Sequence, residues 1–240
     1  MPLFQAKDHA LEEVMASVTA SDASSRSLST IAIENDFVTD VYRKLAWSYD
    51  VFFGPILHPG RLLALERMEI RPGERVLEVG VGTGIGATLF RPDCHVTGID
   101  LSASMLAKAR ERIARKKTAN VRLLEMDAAN MDFPDDAFDI VYAPYLINCV
   151  PDPIAVSREM KRVCRPGGRI VFLNHFLSTG PIRSRFDRLV SPLTVHIGFK
   201  SDLDLPAFLA QADLRPISVE VVNKAWQLVI CLKRADHVSH

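Results

Sequence analysis

Three glycines on alternate positions, an acid just before them and a second acid twenty residues after the first glycine are the part of this 240-residue sequence best suited to chemistry. They are Gly80, Gly82, Gly84, Glu78 and Asp100, and Gly86 extends the glycine series. Glycines let the backbone take positive φ and let a ligand approach the main chain where a Cβ would block it. A carboxylate at the end of the following strand is placed to accept both hydroxyls of a ribose. The set therefore reads as a nucleotide-binding turn. Asp127 closes a third apolar run, where an acid can face the amino group of an adenine. Further groups with chemical potential are His175, at the end of another apolar run, and Tyr42, Tyr49, Tyr142 and Tyr145, whose hydroxyls each need a partner in a dry core.

The elements that would position these residues follow from periodicity. RVLEV (75–79) predicts a buried strand, which the glycines break before a helix whose free N–H groups would face the ligand. HVTGID predicts a second strand, and Ser102 an N-cap for a helix over Ala103–Lys117, where Met105, Leu106, Ala109 and Ile113 keep a 3.6 period. A third strand is expected to end at Asp127 and a fourth to span Phe138–Ala143. The Pro144–Val150 loop, with Tyr145 and Asn148, should then line the reactive end of the site, since open α/β sheets bind ligands at the carboxyl ends of their strands. RPGGRIVFLNHF predicts a turn and a fifth strand ending at Asn174-His175. A helix at Leu203–Gln211 and two strands, Pro216–Val222 and Trp226–Leu232, complete the chain. Upstream, Gly60–Met68 reads as a helix. Residues 36–53 read as another, with Phe37, Val41, Tyr42, Leu45, Tyr49 and Phe52 on one face, suited to core, lid or membrane contact. Residues 7–19 form a short apolar-faced helix ahead of a Ser-rich linker.

The length suits one sizeable domain, expected over residues 36–240, with residues 1–35 as a partly flexible extension. Twenty-nine basic residues balance 29 acidic ones, so no global field attracts nucleic acid. Cys94, Cys149, Cys164 and Cys231 show no C-x-x-C pairing and read as buried thiols of a reducing compartment. No metal-ligand pattern and no bilayer-spanning apolar run are visible, so any membrane contact is expected at the surface.

Glu78-Val79-Gly80-Val81-Gly82-Thr83-Gly84 resembles motif I of the class I S-adenosylmethionine (SAM) methyltransferases, E/D-x-G-x-G-x-G. A dinucleotide reading of Gly82-Thr83-Gly84-Ile85-Gly86-Ala87 falls too late relative to the strand. The alternation of five strands with helices, followed by an antiparallel pair, looks like the seven-stranded Rossmann-like sheet of that family, helices on both faces and the last strand antiparallel. The resemblance implies a SAM site built from Tyr49, Glu78, Val79, Gly80, Gly82, Gly84, Asp100, Leu101, Met105, Asp127, Ala128 and Ala143.

Over Tyr42–Leu232 the chain resembles the bacterial phosphatidylethanolamine N-methyltransferases of the Rhodobacter type. The resemblance rests on Tyr42-Arg43-Lys44-Leu45-Ala46-Trp47-Ser48-Tyr49-Asp50, Asn174-His175 and Gly198-Phe199-Lys200-Ser201-Asp202. It implies methylation of an ethanolamine amine, with Tyr42, Tyr49 and His175 as catalytic candidates and Tyr145, Asn148 and His175 near the substrate. Residues 161–200 carry eight Lys and Arg against Asp187 alone. Within them, Arg183, Arg185 and Lys200 are suited to a phosphodiester. The resemblance further implies a monomer working on phospholipid at the inner face of the membrane, without metal or nucleic acid. Two readings stay beside it: a quinone C-methyltransferase, which shares the Y-x-x-x-A-x-x-Y-D segment, and a non-catalytic SAM-binding module.

Overall fold

Strands buried on both faces read as continuous apolar runs, and such runs form parallel sheets covered by helices on each side. The computed structural model describes residues 11–12, 14–18, 54–177, 202–222 and 226–234 and contains one seven-stranded sheet. The helix expected over 36–53, with Tyr42 and Tyr49, and the basic positions Arg183, Arg185 and Lys200 lie outside the described residues.

The element order is α1 (Gly54–Arg67), β1 (Arg75–Val79), β2 (His95–Asp100), α2 (Ala103–Lys116), β3 (Val121–Glu125) and β4 (Phe138–Pro144). Then come α3 (Pro153–Val163), β5 (Cys164–Asn174), α4 (Leu205–Gln211), β6 (Pro216–Val222) and β7 (Trp226–Leu232). The strand order is β3-β2-β1-β4-β5-β7-β6. The first five strands run parallel, while β7 lies between β5 and β6 and is antiparallel to both. The chain leaves β1 toward β2 and β3 and returns on its other side with β4. This opens a crevice at the carboxyl ends of β1 and β4, where open sheets of this kind hold ligands.

Side-chain alternation divides the core between the two faces of the sheet. Leu77, Val141, Ile170 and Phe172 face α3 and α4, whose Met160, Val163, Phe208 and Leu209 are buried against them. Val14, in the N-terminal helical piece, belongs to the same core, and Leu11 and Val18 pack against it at i−3 and i+4, so this part of the extension is docked on the domain. On the opposite face Val76, Ile140, Val171 and Leu173 meet Leu57 and Ala64 of α1 and Met68 just beyond it.

Several elements depart from the sequence expectation. The glycine turn does not run into a helix: only a three-residue 3-10 turn, Ala87–Leu89, follows it. Pro92 stands too close, and it biases Arg91 away from helical φ and ψ. Helix α1 begins at Gly54, not Gly60. Pro59 lies inside it, and packing on both sides of the proline holds the helix together. Strand β3 ends at Glu125, so Asp127 lies in the loop beyond it, and β5 begins at Cys164, ahead of the expected turn.

Gly84 combines φ +77° with a position where an added Cβ would come within 3.0 Å of Ala109 Cβ on α2. Its role is close packing of the turn on that helix. Gly84→Ala is expected to lower unfolding free energy by about 2–3 kcal/mol, from left-handed strain plus overpacking. Chemical denaturation measures the loss, and a change within error would show that α2 yields freely.

Candidate active site

Asp100 is where the site begins, because β2 ends on it beside the glycine turn. Its Oδ2 accepts from Gly82 N–H at 2.8 Å and its Oδ1 from Ser102 N–H at 2.9 Å. The carboxylate thus ties the turn after β1 to the start of α2, whose N-cap Ser102 accepts from Met105 N–H. Burial pushes the Asp100 carboxyl above its usual range, and the two backbone donors pull it back.

A cavity of about 170 Å³ opens beside Asp100, lined on that side by Gly82, Leu101, Met105, Asp127 and Ala128. Asp127 Oδ1 accepts from Ala129 N–H at 2.9 Å, which shapes the loop and leaves its other oxygen available to a ligand amine. On the far side of the glycine turn the cavity is closed by Gly80, Tyr145, Leu146, Cys149, Val150 and Arg61. An acid for a ribose, an apolar slot beside Asp127 for a purine, and bare glycine backbone between the two ends suit an adenosyl group. Val79 and Ala143 are fully buried in their strands, and Gly84 packs on α2, so these three support the cavity without lining it.

Tyr145 stands in the left-handed region at φ 58°, which turns its ring back over α1. Its hydroxyl donates to Leu57 carbonyl at 2.8 Å, the Arg61 guanidinium lies 5.0 Å from its ring centre, and Trp226 meets it edge-on at 5.0 Å. The loop carrying Tyr145 is pinned by Asn174, which is fully buried at the end of β5. Asn174 Oδ1 accepts from Ile147 N–H at 3.1 Å and its Nδ2 donates to Ala143 carbonyl at 3.2 Å. Asn148 Nδ2 donates to the carbonyl of His175 at 2.8 Å, and the His175 ring meets Trp226 edge-on at 6.0 Å. Asn148 and His175 are not among the described residues that line this cavity.

Glu78 is 1% exposed and lies directly opposite Tyr142 in the β1–β4 register, on the sheet face that α1 covers. Burial pushes its carboxyl up to about 8, against the pull of the Arg61 charge. Among the described residues, Glu78 Oε2 and the Tyr142 hydroxyl have no hydrogen-bond partner, and burial drives the Tyr142 phenol well above its usual range. Gly86 is required here, since an added Cβ would fall on Glu78 Oε1. The four cysteines are free and buried, and burial pushes the Cys164 thiol up to about 12, so it stays protonated.

Arg61 is a cavity residue the sequence reading missed, while Cys149 lies in the Pro144–Val150 loop expected there. The only signal for Arg61 was a cation one position past Gly60 in an otherwise apolar stretch. Among the described residues no group of three or more His, Cys, Asp or Glu gathers to hold a metal, and no helix is long and apolar enough to cross a membrane.

Residues 77–172 match the model of a methyltransferase domain. The chain is 38% identical over 187 residues to the phosphatidylethanolamine N-methyltransferase of Cereibacter sphaeroides, an alignment that spans 77% of this chain and 91% of that protein. It is 34% identical over 145 residues to the demethylmenaquinone methyltransferase of Listeria monocytogenes, spanning 57% of this chain and 61% of that one. In fold it is similar to Haemonchus contortus phosphoethanolamine N-methyltransferase 2 solved with SAM, with a TM-score of 0.68, 20% identity, and coverage of 86% of this chain and 61% of the other. With the sheet order, the glycine turn and the acid that closes β2 beside it in place, the chain belongs to the class I S-adenosyl-L-methionine-dependent methyltransferases.

Proposed function

We propose that this methyltransferase acts on the amine of phosphatidylethanolamine and of its mono- and dimethyl derivatives, leading toward phosphatidylcholine. The observation that carries the reading is the 38% identity to the Cereibacter enzyme along 91% of that protein's length. The demethylmenaquinone enzyme aligns over a shorter stretch, 145 residues.

SAM supplies a methyl group on a sulfonium, which an in-line displacement moves to the acceptor lone pair. The protein's part is to hold both reactants in line and to keep water out. Asp100 would take the ribose hydroxyls and Asp127 the adenine amine, with Gly80 and Gly82 lining the cavity between them. An ethanolamine ammonium has a proton affinity like that of lysine and must lose a proton before its nitrogen can attack. Tyr42, Tyr49 and His175 are the candidates to orient the amine and accept that proton, directly or through water. Tyrosine ring faces suit the increasingly methylated cation of later rounds. Arg183, Arg185 and Lys200 suit the phosphodiester.

Transfer of radiolabelled methyl from SAM to liposomes containing phosphatidylethanolamine, with lipids resolved by chromatography, tests the reading. Label is expected in mono-, di- or trimethylated lipid. Full SAH binding without lipid labelling would overturn it, and label in a demethylquinone would favour the quinone C-methyltransferase.

A further inference from the structure

The backbone ladder between β4 and β5 runs one residue past β4, where Tyr145 N–H donates to Leu173 carbonyl at 2.6 Å. Tyr145 then takes φ 58°, and the chain turns off the sheet into the 3-10 turn Ile147–Cys149. From there two asparagine side chains take over. Asn174 Oδ1 accepts from Ile147 N–H at 3.1 Å, and its Nδ2 donates to Ala143 carbonyl at 3.2 Å. One residue further the direction reverses, and Asn148 Nδ2 donates to His175 carbonyl at 2.8 Å. Consecutive residues of the loop, 147 and 148, are thus bonded to consecutive residues at the end of β5, 174 and 175.

Both asparagines are fully buried. A primary amide carries donor and acceptor in one rigid plane, so Asn174 meets a carbonyl and an N–H at once. Without it, two buried backbone groups would lose their partner, which is costly. What the amides join gives them a role beyond stability. The loop supplies Tyr145, Leu146, Cys149 and Val150 to the wall of the cofactor cavity, and neither asparagine lines that cavity. On the other side stands His175, whose ring meets Trp226.

We propose that Asn174 and Asn148 form a reciprocal clamp that positions the methyl-transfer site. Asn174 fixes the loop that walls the cavity, and Asn148 locks that loop to the backbone of His175. Wall and strand end are held as one piece. In-line transfer tolerates little displacement: a shift of about 1 Å caused far from the reacting atoms can cost on the order of 100-fold in rate.

Asn174→Asp makes the clamp titrate. When protonated, the carboxyl donates to Ala143 carbonyl and accepts from Ile147 N–H, as the amide does. When ionised, it sets a charge against the lone pairs of that carbonyl. Burial and the facing acceptor both raise its pKa, so the clamp holds in mild acid and opens as pH rises. At saturating SAM the kcat of this variant, relative to wild type at the same pH, is expected within about threefold near pH 6. It should fall about 10- to 100-fold by about pH 8.5, as fits a displaced reaction geometry. SAH affinity should change less than about fivefold, since Asp100 and Asp127 lie on the other side of the cavity. Asn148→Ala should also lower kcat, and the double variant Asn148→Ala/Asn174→Ala should lose much less than the product of the single losses.

Transfer is followed with the acceptor that the wild-type protein labels, phosphatidylethanolamine in liposomes or a demethylquinone, so failure of the phospholipid reading leaves the test of the clamp intact. Thermal unfolding at each pH gives the folded fraction, and kcat is expressed per folded protein. Parallel pH profiles for Asn174→Asp and wild type would overturn the proposal. So would a kcat loss that disappears after correction for unfolded protein, an SAH loss as large as the kcat loss, or single losses that multiply in the double variant.

Discussion

Asp100→Ala is expected to weaken SAH binding by at least about 100-fold, the largest single loss from any side chain in the described part of the site. Two effects combine. The carboxylate accepts from Gly82 N–H and Ser102 N–H, so its removal leaves two donors of the turn without their partner and loosens the link between β1 and α2. It also removes the charged acceptor facing the ribose hydroxyls, and each hydrogen bond to a charged group is worth about 1.5–3 kcal/mol. Asp100→Asn separates the two. Its amide oxygen can still accept from one backbone donor, so melting of the cofactor-free variant should stay close to wild type while SAH affinity still falls. Calorimetric titration against both variants is the measurement. SAH affinity within tenfold of wild type for Asp100→Ala would show that the ribose is held elsewhere.

Glu78 makes the stability of the cofactor-free protein depend on pH, in the direction opposite to that of a salt-bridged acid. Its folded value, about 8, lies above the ordinary 4.5, so the folded state binds the proton more tightly than the unfolded one. The favourable contribution is complete below about 4.5 and is lost progressively as pH rises through 8. Over that window the shift corresponds to a loss on the order of 3–5 kcal/mol, since each pKa unit is worth about 1.4 kcal/mol. Glu78→Gln carries no titrating proton and should flatten the profile. Denaturant unfolding at a series of pH values between 5 and 8.5, without cofactor, gives the comparison. Parallel profiles for the two proteins would show that Glu78 stays ionised in the folded chain. Gly86 and Tyr142 explain why the carboxyl cannot escape: one leaves room only for Glu78 Oε1, and the other lies opposite it in the strand register.

Both acids were legible in the sequence because each is marked by neighbours close in the chain. Glu78 precedes the glycines by two positions, and Asp100 closes a strand whose six residues, His95–Asp100, match the expectation. Ser102 as N-cap and the two C-terminal strands were read from the same local signals. The helix expected after the glycine turn does not form. Its start signal was local, but the space it needed was closed by Pro92 and by the contact of Gly84 with Ala109. His175 is expected near the substrate from its place at a strand end, and Asn148 from its place in the Pro144–Val150 loop. Their observed positions depend on Trp226 and on one another, and these contacts span 51 and 27 positions of the chain.

By itself the sequence determined that this chain builds a nucleoside site on a mostly parallel sheet, which acids stand at the strand ends, and that a SAM methyltransferase motif opens the domain. These rest on alternation, glycine spacing and capping, which act over a few residues. Only the tertiary structure decided that Arg61 of α1 lies over Tyr145, that Glu78 and Tyr142 share a buried face, and that Asn174 pins the loop closing the cavity. Each is a contact between segments that are distant along the chain and meet only once the sheet takes its order, because packing depends on which faces are brought together and not on which residues are neighbours.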